Sequence, residues 1–279
     1  NQKKVLQPLQ LALYALAFGG LMFLNAWDFP IYLFVLGVAV VAHALRSSED
    51  GSQWFRRLSE PALTLGLIAV GAFIAYLPWS ISFSSQAGGI LPNALFPTRI
   101  QQFGVMFGGF LAIIVWLLAE TALSRGQRPA WGVGLGTAGA LLLTLVLVMS
   151  GLGLLALRLD PGTLSFVASS TGLSADSLPA DAATSLLPQI VAKIALYRLS
   201  HPLTALLLSG IIAAAVALLV SNLTYQGSGG HESRRYDGAA VIFSLILILT
   251  GALLTLGPEF VYLRDNFGQR LNTIFKFYY

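Results

Sequence analysis

The chain has 279 residues, of which 56% are hydrophobic and 10% are charged, and its mean hydropathy is +0.76. A soluble domain of this size does not bury so much apolar surface, so the composition excludes soluble globular classes and indicates a polytopic membrane protein. The net charge of +4 is spread over short loops, which argues against nucleic acid as a partner, and the absence of cysteine excludes disulfides, thiol nucleophiles and cysteine-based metal sites.

Seven apolar stretches are long enough, or nearly long enough, to cross a bilayer, for which a helix needs roughly 20 apolar residues. They cover residues 8–26, 30–46, 61–79, 103–124, 132–157, 202–221 and 238–257. We therefore predict an all-α fold, a polytopic bundle of about seven transmembrane helices plus interfacial helices. Residues 1–279 are expected to form a single transmembrane helical domain.

Both ends of the chain look cut. The first residue is Asn1 and not methionine, and the closing run Phe275–Tyr279 reads like the opening of another helix. We expect the chain to be an excerpt of a longer protein, whose remainder would be one of its partners.

The basic residues predict the orientation of the bundle. If the N-terminus with Lys3 and Lys4 is cytoplasmic, the inner loops are short, polar and basic, as the positive-inside rule favours. The outer connections are then the turn 25–30, the loop 80–101, the stretch 158–201 and the tail after Gly257. Because elaborated loops usually carry function, we predict an integral protein of the plasma membrane with its site on the extracytoplasmic side.

The turn between the first two predicted spans carries Asn25, Trp27 and Asp28. In a structural interpretation Asp28 caps the second helix and Trp27 sits in the aromatic belt of the membrane. In a functional interpretation Asp28 is a carboxylate at the membrane surface that acts as a base, a metal ligand or an acceptor for sugar hydroxyls. The two interpretations are compatible.

The tail combines charged and aromatic side chains next to a membrane span. Its ionisable residues are Glu259, Arg264, Asp265, Arg270 and Lys276. Arginine binds phosphate through bidentate hydrogen bonds and lysine binds it as a point charge, so the three cations are candidates for a phosphate site. The alternative is an interfacial helix whose basic side chains reach the head groups of membrane lipids.

Two further outer segments have weaker signals. In the loop 80–101 the best ligand candidates are Arg99, Gln101 and Gln102, although a plain surface loop is favoured over a substrate lid. Between residues 186 and 201 apolar side chains recur at helical spacing, as in a helix that lies on the membrane surface. The three histidines, including His201, lack the spacing of metal ligands.

The chain resembles the uncharacterised polytopic "YYY" membrane-protein family in three motifs. They are Asn25-Ala-Trp-Asp-Phe-Pro30, Gln86-Ala-Gly-Gly-Ile-Leu-Pro92, and the tail from Gly257-Pro-Glu-Phe260 to Arg270-Leu-Asn-Thr-Ile-Phe-Lys-Phe-Tyr-Tyr279. That family is similar to the GT-C superfamily of integral-membrane glycosyltransferases, which take sugars from polyprenyl-phosphate donors at the outer face. The resemblance implies a catalytic acid in an external loop that this chain lacks, together with the Tyr-Tyr-Tyr run of the family.

The leading hypothesis is a portion of a glycosyltransferase that uses a polyprenyl-phosphate sugar donor on the extracytoplasmic face. The phosphate would be held by Arg264, Arg270 and Lys276. The acceptor, or a divalent cation as a possible cofactor, would be oriented by Asp28, Glu259 or Asp265. The resemblance carries over Asn25, Trp27 and Asn272 as further substrate-binding residues. This hypothesis predicts that Arg270→Ala abolishes transfer without loss of folded protein.

A structural subunit of a membrane complex, or a transporter, is the alternative. The predicted spans contain almost no internal ionisable residue, which argues against ion-coupled transport. A structural subunit would need no charge cluster, whereas the enzyme hypothesis requires Asp28 and the tail to converge on one face of the membrane.

Overall fold

The computed structural model describes residues 7–46, 54–84, 88–124, 128–172, 187–224, 238–264 and 270–278. The helices in these ranges are α1 (Pro8–Leu24), α2 (Asp28–Arg46), α3 (Trp54–Ala75), α4 (Leu77–Ser82), α5 (Ile100–Ser124), α6 (Trp131–Leu159), α7 (Pro161–Ser170), α8 (Leu187–Ser200), α9 (Leu203–Thr224), α10 (Gly238–Leu256) and α11 (Leu271–Tyr278). A 3₁₀ turn, Gly257–Glu259, follows α10, and strands β1 (Ile90–Pro92) and β2 (Val261–Leu263) pair antiparallel. The predicted all-α polytopic bundle is confirmed.

Six helices in the described ranges are long and apolar enough to cross a membrane, namely α2, α3, α5, α6, α9 and α10. The first predicted span, α1, is an apolar helix of 17 residues. The predicted span 61–79 divides, because α3 ends at Ala75 and Tyr76 leads into the short α4, which has a proline in its first turn.

Large apolar side chains cover the outside of these helices. Val105 is 91% exposed and Leu123 is 83% exposed, both on α5. Such contiguous apolar surface would cause aggregation in water, whereas in a bilayer it faces lipid and the helices satisfy their own backbone groups. The exposed surface therefore agrees with the composition.

The chain forms two compact units, of which the first takes in Asn1–Ser85, Thr121–Ala130 and Ala215–Thr250. Here α1, α2 and α3 pack on one another around Phe18, Ile68 and Ala72. The approach is closest at Gly19, where an added Cβ would lie 2.4 Å from the ring of Tyr76 and 2.9 Å from the carbonyl oxygen of Ala72. Glycine therefore permits the contact between α1 and α3.

The second unit takes in Gln86–Glu120, Trp131–Ala214 and Gly251–Tyr279. Its two strands align Ile90 with Leu263 and Pro92 with Val261. A separate apolar core joins α6, α7 and α8 through Leu157, Val167, Ala168 and Ile190. The apolar face predicted to rest on the membrane surface is thus used within the protein, since Ile190 is fully buried in this core.

Candidate functional site

The loop 88–99 and the tail form one surface in the second unit. The amide of Gly88 donates to the carbonyl of Arg264 at 2.7 Å, and the amide of Arg264 donates to the carbonyl of Gly89 at 2.8 Å. Gly89 has a φ of +120°, a conformation that residues with a Cβ rarely adopt. Beyond the strands, the amide of Asn93 donates to the carbonyl of Phe260 at 2.8 Å.

Glu259 is the buried centre of this surface. The residue is 1% exposed and ends the 3₁₀ turn in which Pro258 stops α10. Its Oε1 lies 3.3 Å from Nη1 of Arg270, which forms an ion pair. The amide of Thr98 donates to Oε2 at 2.8 Å, and the Thr98 hydroxyl donates to Oε1. Both carboxylate oxygens are therefore engaged by protein groups.

A second guanidinium, Arg198 of α8, contacts the backbone of the same cluster. Its Nη2 donates to the carbonyls of Asn93 and Glu259, and its carbon Cζ lies 5.2 Å from the centroid of the Phe260 ring. Burial lowers the pKa of Arg198 to about 10, opposed by the negative charge of Glu259. Arg198 is therefore cationic at neutral pH, and the cluster contains two guanidiniums and one carboxylate.

Asn93 and Thr98 fix the loop in place. The side-chain amide of Asn93 donates to the carbonyls of Pro258 at 3.1 Å and Glu259 at 3.2 Å. Thr98 accepts a hydrogen bond on its hydroxyl from Arg270 Nη2 at 3.1 Å, and its carbonyl accepts one from the Thr204 hydroxyl at 2.7 Å. Every polar atom of Thr98 is thus bonded to the tail or to α9.

A cavity of about 670 Å³ opens beside Thr98. Its volume falls in the range of roughly 300–1,000 Å³ that is usual for ligand pockets. The lining comes from the start of α5, the end of α8 and the start of α9: Thr98, Arg99, Ile100, Gln101, Gln102, Ser200, His201 and Leu203. None of these eight described lining residues carries a carboxylate, whereas Arg99 and His201 supply basic groups.

The tautomer of His201 follows from its neighbours. Its Nδ1 lies 3.0 Å from the carbonyl oxygen of Tyr197 and 2.9 Å from the hydroxyl of Ser200. Because a carbonyl oxygen can only accept, Nδ1 carries the proton, and Nε2 of the neutral ring is left as an acceptor.

The structure brings Glu259 and Arg270 together and places other predicted tail residues around them. Arg264 is exposed at the end of β2, whereas Asn272 and Lys276 are half-buried on α11. Burial also raises the pKa of Tyr278, at the end of α11, to about 12, and the charge of Glu259 contributes in the same direction. Asp265 lies outside the described residues.

The predicted turn residues lie in the first unit, where they bond to one another. The side-chain amide of Asn25 donates to Oδ1 of Asp28 at 2.9 Å, and the amide of Trp27 donates to Oδ1 of Asn25 at 3.4 Å. Asp28 is half-buried in the first turn of α2. These contacts favour a structural role for the turn, and its convergence with the tail stays a prediction.

No group of three or more His, Cys, Asp or Glu side chains in the described ranges is arranged to hold a metal ion. Asp265, one of the predicted acids, lies outside these ranges.

Sequence reasoning missed three residues that build the site, namely Asn93, Thr98 and Arg198. The sequence does predict their neighbours Arg99, Gln101 and Gln102 as ligand candidates, and all three line the cavity. His201 also lines the cavity, although its spacing in the sequence does not indicate a metal ligand. Nothing in one sequence marks a threonine as the partner of a glutamate that lies 161 positions further along the chain.

The comparisons with known proteins agree with a membrane protein. The model of a family described as "Uncharacterized membrane protein (DUF2298)" matches residues 1–279. No curated protein and no solved structure matches the chain.

Proposed function

The chain belongs to this family of uncharacterised membrane proteins, and we propose that it is part of a glycosyltransferase that uses a polyprenyl-phosphate sugar donor. The proposal rests on one observation. Arg198 and Arg270 outnumber Glu259 beside a cavity that has Arg99 in its lining and no carboxylate among its described lining residues. Such a surplus of positive charge favours an anionic ligand, and the phosphate that links the sugar to its lipid is one.

The contacts divide the tail cations between two roles in this proposal. Arg270 forms an ion pair with Glu259 and donates a hydrogen bond to Thr98, which lines the cavity. We therefore propose that Arg270 and Glu259 position the wall of the cavity. Arg264 is exposed and remains a candidate for contact with the phosphate, as does Lys276. Asn25, Trp27, Asp28, Asp265 and Asn272 are the residues proposed to contact the acceptor.

The proposed reaction breaks the bond between the anomeric carbon of the sugar and the phosphate oxygen of the lipid donor. A new bond forms between that carbon and the oxygen of the acceptor hydroxyl. The hydroxyl proton passes to a carboxylate base, a role that the GT-C resemblance assigns to an acid in an external loop. Positive charge at the cavity stabilises the negative charge that develops on the leaving phosphate.

A structural subunit is the second candidate, and one observation favours it. Both carboxylate oxygens of Glu259 are bonded within the protein, and the side chains of Asn25 and Asp28 are hydrogen-bonded to each other. Buried ion pairs of this kind also occur where they only hold segments together.

The test uses the full-length protein, purified in detergent. It is incubated with acceptor lipids or peptides and a panel of short-chain polyprenyl-phosphate hexoses and pentoses, and release of polyprenyl phosphate is followed by mass spectrometry. We expect release from at least one donor, and none from the matching polyprenyl glycosides that lack phosphate. A structural subunit would release nothing from any member of the panel.

A further inference from the structure

We propose that the cavity at the starts of α5 and α9 is an oxyanion-binding site that takes the phosphate group, with Arg99 as its principal side-chain donor. None of the tail cations Arg264, Arg270 and Lys276 is among the described lining residues of this cavity. The inference rests on the proposed function for the identity of the ligand as a lipid phosphate, while binding of a phosphate group as such does not depend on it.

The first argument is the availability of the Arg99 guanidinium. The side chain is exposed and lines the cavity, and within the described ranges it has no carboxylate partner. A guanidinium offers five N–H donors in a planar arrangement and matches two phosphate oxygens at once. Arg270, by contrast, has its donors committed to Glu259, Pro258 and Thr98.

The second argument is the nature of the two helix starts that face the cavity. The residue that precedes α5 is Arg99 and the residue that precedes α9 is Pro202, and neither side chain has an oxygen that could cap the helix. The hydroxyl of Thr98 is committed to Glu259. The first-turn N–H groups of Ile100, Gln101 and Leu203 therefore lack such a cap, and their residues line the cavity.

The third argument is the charge behind the cavity wall. Thr98 lines the cavity and bonds to Glu259, which belongs to a cluster with Arg198 and Arg270 that carries one more positive than negative charge. Buried charges are screened less than surface charges, so this surplus acts on the cavity. His201 adds a ring whose Nε2 can accept a hydrogen bond from a protonated phosphate oxygen.

The test measures binding by isothermal titration to the full-length protein in detergent. The probes are a short-chain polyprenyl phosphate, the corresponding polyprenol and inorganic phosphate. We expect Arg99→Gln to weaken the binding of polyprenyl phosphate at least tenfold, and Arg158→Gln, which removes an exposed cation outside the cavity lining, to change it less than twofold. Equal effects of the two variants, or equal binding of polyprenol and polyprenyl phosphate, would overturn the inference.

A second pair of variants tests the backbone donors. Ile100→Pro removes one backbone N–H at the first helical position, where proline fits the helix. Ile100→Ala is the control, because it also removes the isoleucine side chain but keeps the backbone N–H. We expect weaker phosphate binding in the proline variant than in the alanine variant, with equal helicity in circular dichroism. Equal affinities in two folded variants would remove the α5 amide groups from the site.

The probes separate the sources of phosphate, and the assays separate the two proposals. Binding of inorganic phosphate that depends on Arg99 and equals that of the lipid identifies a free-phosphate site, whereas much tighter lipid binding identifies a head-group site. Arg99-dependent binding without any sugar transfer supports the site and refutes the enzyme. Sugar transfer that Arg99→Gln leaves unchanged refutes the site and supports the enzyme.

Discussion

Glu259 keeps a charge out of water because three donors converge on its two oxygens. They are the amide and the hydroxyl of Thr98 and Nη1 of Arg270, whose Nη2 donates to the Thr98 hydroxyl. Desolvation of a carboxylate costs several kcal/mol, and hydrogen bonds together with a paired cation offset that cost. The buried Glu259 carboxylate is therefore stable only when all of these donors are present.

Arg270→Gln should destabilise the protein by about 3–5 kcal/mol, because it leaves the Glu259 carboxylate buried without its cation. The double variant Glu259→Gln with Arg270→Gln should recover part of that loss, since it removes the charge on both sides. The measurement is the loss of helical signal on heating in detergent, with Arg264→Gln as the exposed control.

Equal melting temperatures for Arg270→Gln and Arg264→Gln would show that the ion pair contributes nothing to stability. The sequence-based hypothesis expected Arg270→Ala to abolish transfer in a folded protein. Because loss of the ion pair also lowers the free energy of unfolding, the activity of Arg270 variants has to be normalised to the folded fraction.

Single residues of the site were predictable only where they carry charge. Glu259 and Arg270 were noticeable because ionisable groups are rare in this chain and stand next to a membrane span. Asn93 and Thr98 are ordinary loop residues in the sequence. Their role comes from contacts with the tail more than 160 positions away, which one sequence does not encode in any local pattern.

Helices were the most predictable elements, because lipid requires long apolar runs that soluble loops do not contain. Their ends were less predictable: α5 starts at Ile100 and not at residue 103, and α4 separates from α3 at Tyr76. The strands escaped prediction, since three residues are too few to show an alternating pattern. Their pairing follows from the tertiary contact between loop and tail.

Gly19→Ala should destabilise the contact between α1 and α3 by about 1–3 kcal/mol, because the added methyl meets both the Tyr76 ring and the backbone of Ala72. The matched control is Gly66→Ala on α3, where an added Cβ meets nothing within 4 Å. We expect the control to be neutral or slightly stabilising, since alanine favours helix. Thermal unfolding in detergent compares the two variants.

At the scale of the whole molecule, the second unit gathers four helix ends at one place. Thr98, just before α5, bonds to Glu259 after α10 and to Thr204 at the start of α9, while Arg198 at the end of α8 bonds to Asn93. This agrees with the topology in which these connections share one face. The side of the membrane to which that face points stays a prediction from the basic residues.

Because the chain has no cysteine, single cysteines can report the orientation. We expect a membrane-impermeant maleimide to label Arg264→Cys in intact cells and Arg128→Cys, in the connection between α5 and α6, only after permeabilisation. Both positions are exposed, so accessibility within the protein does not differ between them. The reverse pattern would invert the orientation, and labelling of both in intact cells would contradict the crossing of α5.

The bonding of Thr98 links the cavity to distant parts of the chain. A molecule in the cavity touches a residue whose other atoms are tied to the 3₁₀ turn, to α9 and, through Arg270, to the segment that leads into α11. Ligand affinity at the cavity and the local stability of the segment around Arg270 are then coupled, and each changes the other by the same free energy. Filling the cavity would rigidify the final segment, and loosening that segment would empty the cavity.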